Sequence, residues 1–238
     1  MPHTTNHPDI DKYFKALADI SRAVASEQYL EDILKLIVLV TAKVTGVEIC
    51  SLWMTEGEGA DKKIRLKATQ AIDPEYVNDR TLNMDEGVVG YVATHKTPII
   101  VKNVLQDKRF KEKSMAKNLG LVSMLGVPMQ IKNKEVIGVL NCFTSEPHDF
   151  SETEISMITA VAHQAAVAIH NTRLALDAQV IREELETRKL VERAKEVLVR
   201  KRGMEIDEAY RWIRKRSMDS RKHLREVAEA VLLSEDLY

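Results

Sequence analysis

Alternating apolar and polar residues predict antiparallel strands in the first two thirds of the chain. The alternation is clear in Val47–Thr55 and Lys63–Ala68, which the turn-rich segment Gly57–Asp61 joins as a hairpin. Ser123–Met129 and Val136–Phe143 predict a second hairpin around a short polar loop. With the remaining extended segments we expect five or six strands flanked by helices, which is an α+β layer arrangement.

A long helix is predicted to follow these strands. Phe150, Ser151, Glu154 and Ile155 have the spacing of a capping box with a hydrophobic staple, and no Pro or Gly then occurs before Gly203. Near Ile155–Ala166 this helix is expected to cover its own sheet. Beyond that point a 4-3-4-3-4 spacing predicts a coiled-coil seam between two copies, in which Asn171 favours one register: Val167, Asn171, Leu174, Ala178, Ile181 and Leu185.

Helical spacing also occurs at both ends of the chain. At the N-terminus, Ile10, Phe14, Leu17 and Val24 predict a helix that joins the dimer bundle. At the C-terminus, three short apolar periods predict a bundle of three helices. The first helix contains Val191, Ala194, Val197 and Leu198 and is expected to end at Gly203. The second follows an expected N-cap at Asp207 and contains Ala209, Trp212 and Ile213. The third follows an expected cap at Asp219 or Ser220 and contains Leu224, Val227, Ala228, Val231 and Leu232.

Positive charge is concentrated in this bundle. Residues 188–225 contain 14 Lys and Arg against 6 Asp and Glu, a local balance of +8, although the whole chain sums to −1. Such segregation indicates a folded surface that meets a polyanion. For any single arginine the alternative is a solvated helix face with intrahelical ion pairs. Trp212 has the spacing of a core residue rather than of a base-stacking platform.

Several short motifs in the same region resemble an ANTAR domain, over about residues 185–233. The motifs are Ala194-Lys195, Leu198, Arg202-Gly203, Glu208-Ala209-Tyr210, Ile213–Met218 and Leu224–Ala228. The resemblance implies a module that binds paired RNA hairpins in a nascent leader transcript and prevents a terminator from forming. Arginine forks suit RNA phosphates and loop bases. The expected RNA-binding residues are Lys195, Arg214, Lys215, Arg216, Arg221, Lys222 and Arg225. Binding to duplex DNA and docking to another protein are the alternatives.

The strand region resembles a GAF domain, over about residues 29–172. The resemblance rests on Gly87-x-x-Gly90, Pro98-Ile99, Asp107-x-Arg109-Phe110, Ser123–Leu125 with Pro128, Ile137–Leu140 and Phe150-Ser151-x-x-Glu154. It implies a small-molecule sensor with a pocket between the sheet and a helical lid, but the ligand and any cofactor stay unknown. A cyclic nucleotide is disfavoured, because Asn141-Cys142-Phe143 lacks the expected neighbouring acidic pair.

The sequence offers no constellation typical of an enzyme or a metal site. Cys50 and Cys142 lie in strand patterns and are interpreted as small buried hydrophobes, which disfavours a methionine sulfoxide reductase. His163 and His170 share a helix without a ligand-like arrangement. We therefore expect a regulator without catalytic activity and without a metal.

Length and composition agree with two domains. The chain has 238 residues, of which 45% are hydrophobic, and its longest apolar stretch, Ile33–Val44, contains Lys35 and is too short to span a bilayer. No signal peptide is recognised, so a cytoplasmic protein is expected, and the predicted coiled-coil seam indicates a homodimer. The predicted division is an N-terminal helix at 1–28, a GAF domain at 29–172, a coiled-coil connecting helix at 173–186 and an ANTAR bundle at 187–238.

Overall fold

The computed structural model of the chain describes residues 30–71 and 80–236, together with Ala18. The predicted N-terminal helix of residues 1–28, including Ile10, Phe14, Leu17 and Val24, therefore lies outside the described residues apart from Ala18. The chain divides into two compact units, one that ends at Arg173 and one that begins at Leu174.

The first unit is built on an antiparallel sheet. In the described residues it has six strands: β1 Ile49–Glu56, β2 Lys63–Thr69, β3 Thr81–Asn83, β4 Ile99–Val101, β5 Ser123–Gln130 and β6 Val136–Thr144. Their order in the sheet is β3-β2-β1-β6-β5-β4, and the two predicted hairpins are β1–β2 and β5–β6. The strands β1 and β6 are neighbours at the centre, and Cys50 lies opposite Cys142.

One face of the sheet is covered by two helices. Helix α1, Leu30–Thr45, buries Ile33 and Ile37, and helix α4, Glu152–Arg202, contributes its first turns. Because successive strand residues point to opposite faces, Leu52 of β1 packs here while Trp53 packs on the other side. This face forms one hydrophobic core.

The other face is covered by shorter helices and loops. Helix α2, Gly87–His95, and helix α3, Lys113–Asn118, pack with the aromatic residues Trp53 and Phe143 into a second core. At Gly138 the backbone of β6 approaches β1 closely, since a Cβ there would lie 2.2 Å from the carbonyl oxygen of Trp53. A glycine is therefore needed for the two central strands to pair.

Helix α4 begins and ends as the sequence predicts. The Ser151 backbone N–H donates to Glu154 Oε2 at 2.7 Å, and the Glu154 N–H donates to Ser151 Oγ at 3.3 Å, which is a capping box. Burial would raise the pKa of Glu154, but hydrogen bonds from Ser151 and His148 outweigh it and lower that pKa. The helix continues for 51 residues to Arg202, and Gly203 follows with φ of +63°.

The second unit is a bundle of three helices. The last turns of α4 pack against α5, Ile206–Ser220, and α6, Leu224–Asp236. The core contains the apolar residues that helical spacing assigned to it, including Ala194, Ala209, Ile213 and Ala228. The α+β fold class with a long helix and a C-terminal bundle is thus confirmed, while the coiled-coil pairing stays a prediction.

Two predicted caps are wrong. Helix α5 begins at Ile206, so Asp207 lies inside it and Glu205 takes the N-cap position. Asp219 and Ser220 belong to the last turn of α5 and do not cap α6. The chain instead turns at Arg221, with φ of 53°, and the backbone N–H of His223 donates to Glu226 Oε2 at 2.8 Å. The Glu226 carboxylate, three residues downstream, thus satisfies the backbone N–H just before α6, which is one half of a capping box.

Candidate functional site

The C-terminal unit contains a groove lined by cations. Its volume is about 390 Å³, and its apolar floor includes Val197, Leu198, Val227 and Val231. One aromatic residue, Trp212, and one carboxylate, Glu226, also line it. The four cations that surround this basic groove are Lys201, Arg202, Arg216 and Lys222.

Three elements bring these cations together. Lys201 and Arg202 are the last residues of α4, where positive charge also favours the helix C-terminus. Trp212 and Arg216 are four residues apart on α5 and therefore share one face of the helix. Lys222 comes from the turn after α5, where its carbonyl oxygen accepts a hydrogen bond from Ser217 Oγ at 2.6 Å.

Arg202 and Trp212 interact directly. The guanidinium carbon of Arg202 lies 5.0 Å from the centroid of the Trp212 ring, a cation–π geometry. Trp212 is half-buried and packs against the core of the bundle, whereas Arg202 is exposed. The core interpretation of Trp212 is therefore incomplete, since the same residue also forms part of the groove wall.

The predicted RNA-binding residues do not all lie in one place. Of the seven, Arg216 and Lys222 line the basic groove, while Arg214 and Lys215 are exposed on α5 and do not. Arg221 is exposed in the turn after α5. The residues Lys201, Arg202 and Trp212 line the groove but were missing from the predicted set. Their signal was the run of three cations in the last turn of α4 and the four-residue spacing from Trp212 to Arg216.

Lys195 and Arg225 are engaged with carboxylates. Lys195 Nζ lies 2.7 Å from Glu192, and its side chain keeps 14% of its surface exposed. Arg225 Nε donates to Glu229 at 2.9 Å, and this hydrogen bond raises the pKa of Arg225. A phosphate would have to compete with these partners, so the two residues are weaker candidates for RNA contact.

A larger groove of about 670 Å³ lies elsewhere in the same unit. Its apolar lining includes Val180, Val191, Tyr210 and Leu224. Four carboxylates line it, from Glu183, Glu184, Glu192 and Asp207, against the two cations Arg188 and Lys195. An excess of negative charge repels a polyanion, so this acidic groove is a poor site for nucleic acid despite its size.

The residues of the predicted seam are exposed along α4. The larger ones, Val167, Leu174, Ile181 and Leu185, are among the exposed large hydrophobic residues of the described chain, and Asn171 and Ala178 are exposed as well. An uncovered apolar row of this length is what a coiled-coil partner would cover. The pairing itself stays a prediction.

The first unit contains a small cavity of about 20 Å³ between the sheet and α2. It is lined by aromatic and sulfur-containing side chains, among them Trp53, Phe110, Met124 and Phe143. Asn141 also lines it and is 1% exposed. Its Nδ2 donates to Ser51 Oγ at 3.5 Å, but among the described residues no donor lies within hydrogen-bonding distance of its Oδ1.

The two cysteines lie on the other face of the sheet. Cys50 and Cys142 are fully buried with their sulfur atoms 3.6 Å apart, and burial raises the pKa of the Cys50 thiol. A thiol in this state is unreactive, because the thiolate is the nucleophile. In the described ranges no cluster of three or more His, Cys, Asp or Glu residues could hold a metal ion. The helices of those ranges are also too short or too polar to cross a bilayer.

Two protein-family models match the chain. The GAF domain matches residues 29–169 and the ANTAR domain matches residues 179–232. The transcriptional regulatory protein PdtaR of Mycobacterium tuberculosis is 45% identical over 73 residues, which are 30% of this chain and 36% of PdtaR. The chain thus spans about a third of that relative's length.

The GAF region has relatives of known structure. The GAF domains of the phosphoenolpyruvate-protein phosphotransferases of Acinetobacter and Coxiella burnetii have TM-scores of 0.57 and 0.59 at 25% and 26% identity. Each comparison covers 69% of this chain, with 97% and 96% of the solved domain. A free methionine-R-sulfoxide reductase of Neisseria meningitidis, with a TM-score of 0.56 at 18% identity over 74% of this chain and 98% of its own, shares the fold alone.

Proposed function

Because this chain belongs to the GAF domain family and carries an ANTAR domain behind its GAF domain, we propose that it is a signal-responsive regulator of transcription antitermination. In this proposal the C-terminal unit binds paired hairpins in a nascent leader RNA. The GAF domain senses a small ligand and controls that binding. The observation that carries the proposal is the basic groove, in which cations from three separate elements surround one pocket.

The chemistry of the basic groove suits RNA. Arginine and lysine hold phosphates, and an aromatic wall with an apolar floor suits the face of a base that has left a helical stack. Duplex DNA keeps its bases stacked inside, so it would use the cations alone. The sequence similarity to a transcriptional regulatory protein also supports a role in the regulation of transcription.

Two hairpins require two binding units. A single bundle with four groove cations is expected to bind weakly, whereas two bundles joined by a helical dimer raise the effective concentration of the second. The exposed apolar row along α4 supports such a dimer. A GAF ligand that alters the dimer would thereby alter RNA affinity without touching the groove.

The GAF domain has the features of a sensor more than those of an enzyme. Asn141 lines its cavity and has a buried amide oxygen without a hydrogen-bond donor among the described residues, while both thiols belong to the opposite core. The proposal therefore includes ligand binding and no catalytic step. The ligand would have to open the cavity, because a volume of about 20 Å³ holds roughly one water molecule.

The test is a binding assay with the full chain. Two-hairpin RNAs with randomised loops are selected on the protein, and the selected RNA is compared with a DNA duplex of equal length across a salt series. The variant Arg216→Gln/Lys222→Gln removes two groove cations. The control variant Lys189→Gln/Arg193→Gln removes two exposed cations that lie outside the groove and outside the predicted RNA-binding set.

We expect RNA-selective binding that the groove variant weakens strongly and the control variant weakens little. The slope of log K against log salt should become shallower by roughly 0.7 to 0.9 for each phosphate that the variant no longer neutralises. Equal affinity for the DNA duplex would support a DNA-binding regulator. If the protein bound no nucleic acid and the groove variant still regulated transcription as the wild type does, a protein-docking role would be supported.

A further inference from the structure

We propose that the basic groove holds one unpaired nucleotide of the RNA, whose base stacks on the Arg202 guanidinium above the Trp212 ring. This inference rests on the proposed function and adds to it a specific contact that distinguishes a loop nucleotide from a paired one. It also gives a role to two residues, Arg202 and Trp212, that charge alone does not explain.

The first observation is the arrangement of Arg202 and Trp212. The guanidinium lies over the indole ring, with 5.0 Å between the guanidinium carbon and the ring centroid. Trp212 is anchored by its contact with the bundle core, and this holds the guanidinium in place from below. Arg202 is exposed, so its outer face is available to a further planar group. Arginine planes stack on bases in this way in RNA complexes.

The second observation is the size of the groove. At about 390 Å³ it falls within the range of roughly 300 to 1,000 Å³ that small-molecule pockets occupy. A single nucleotide fits such a volume, whereas a base pair within a continuous duplex does not enter it. The apolar residues Val227, Ala230 and Val231 line the groove and would contact the sugar or the base edge.

The third observation is the position of the remaining charges. Lys201, Arg216 and Lys222 line the same groove and are exposed, which suits the phosphates on either side of the inserted nucleotide. Glu226 is the one carboxylate in the lining, and its Oε2 already accepts a hydrogen bond from the backbone of His223. With Arg202 included, four cations and one carboxylate give the groove a net charge of +3.

The discriminating variant is Arg202→Lys. It keeps the positive charge but removes the planar guanidinium, so it separates stacking from electrostatic attraction. Arg193→Lys is the matched control, because Arg193 is an exposed arginine on the same helix as Arg202 that does not line the groove and is not one of the predicted RNA-binding residues. The probes are one selected hairpin RNA and a series in which each loop nucleotide in turn is replaced by an abasic one.

We expect Arg202→Lys to weaken binding of the intact hairpin by roughly five- to hundredfold, as removal of one base-stacking partner does. The slope of log K against log salt should stay unchanged, since the charge is kept. One abasic position should weaken binding to the wild type by a similar factor, and at that position Arg202→Lys should weaken it little further. Arg193→Lys should bind within twofold of the wild type.

Three results would overturn the inference. Arg202→Lys could bind the intact hairpin as the wild type does. Alternatively, its effect could multiply with that of every abasic position, which would show that no base contacts Arg202. In both cases the wild type still binds RNA, and the proposed function stands. If the wild type binds no RNA hairpin at all, the proposed function and this inference fail together.

Discussion

Replacing two apolar residues of the α4 row should dissociate the homodimer that we propose. Fully burying a Leu or Ile side chain stabilises by about 1.5 to 3 kcal/mol. Ile181 keeps 65% of its surface exposed and Leu185 keeps 51%, so burial in a dimer would still gain about 1 to 2 and about 0.8 to 1.5 kcal/mol. Over two chains the gain from these two positions is about 4 to 7 kcal/mol.

The variant Ile181→Gln/Leu185→Gln removes most of this gain while keeping good helix formers at both positions. Because the glutamine stem still packs in part, the lower end applies, and the dimer dissociation constant should rise by about a thousandfold. Sedimentation velocity over a concentration series measures it, and circular dichroism checks that the helix content is unchanged.

Leu176→Gln is the matched control for Leu185→Gln. Leu176 is 48% exposed on the same helix, close to the 51% of Leu185, but it lies outside the 4-3-4-3-4 row. We expect the control to leave the dimer intact. The predicted seam would be refuted if Leu176→Gln raised the dimer dissociation constant as much as Leu185→Gln does. It would also be refuted if the double variant changed that constant by less than tenfold.

Three further predictions concern stability. Arg221→Gly should raise the stability of the C-terminal unit by about 1 kcal/mol in urea unfolding, because φ is 53° there and glycine lacks the Cβ penalty, whereas Arg221→Ala should give no such gain. Gly138→Ala should lower the stability of the GAF domain by about 3 kcal/mol or more, since the new Cβ meets the Trp53 carbonyl oxygen at 2.2 Å; a decrease below about 1 kcal/mol in thermal unfolding would contradict this. Glu154→Ala should destabilise the fold at pH 7, and the gap to the wild type should narrow below about pH 4. The pKa of Glu154 is lowered in the folded state, so its contribution is present above the ordinary carboxyl pKa of about 4.3 and disappears as the pH falls through the folded value.

Local signals predicted those parts of the fold that depend on neighbours in sequence. The start of α4 follows from Ser151 and Glu154, which bond to each other within one turn, and its end follows from Gly203, whose φ is positive. The core of the bundle follows from the spacing of residues such as Ala209 and Ile213. These features needed no knowledge of distant contacts.

The composition of the basic groove was predicted only in part, because it depends on how three helices meet. Arg214 and Arg216 look alike in sequence, yet two positions on a helix separate them by about 200°, and only Arg216 lines the groove. Lys195 belongs to the same charge cluster but packs beside Glu192. Arg202 lies ten residues before Trp212, and this spacing alone predicts no contact. The two side chains meet only because the chain turns at Gly203.

The amide oxygen of Asn141 links the thermal stability of the GAF domain to the ligand binding that we propose for it. A buried acceptor without a donor costs about 1 to 3 kcal/mol, and among the described residues Asn141 Oδ1 is such an acceptor. The Asn141→Leu variant should therefore melt at a higher temperature than the natural chain. The same variant would be insensitive to any ligand that donates a hydrogen bond at this position. A substitution that maximises the stability of this domain would thus remove the unpaired acceptor to which a small molecule could donate a hydrogen bond.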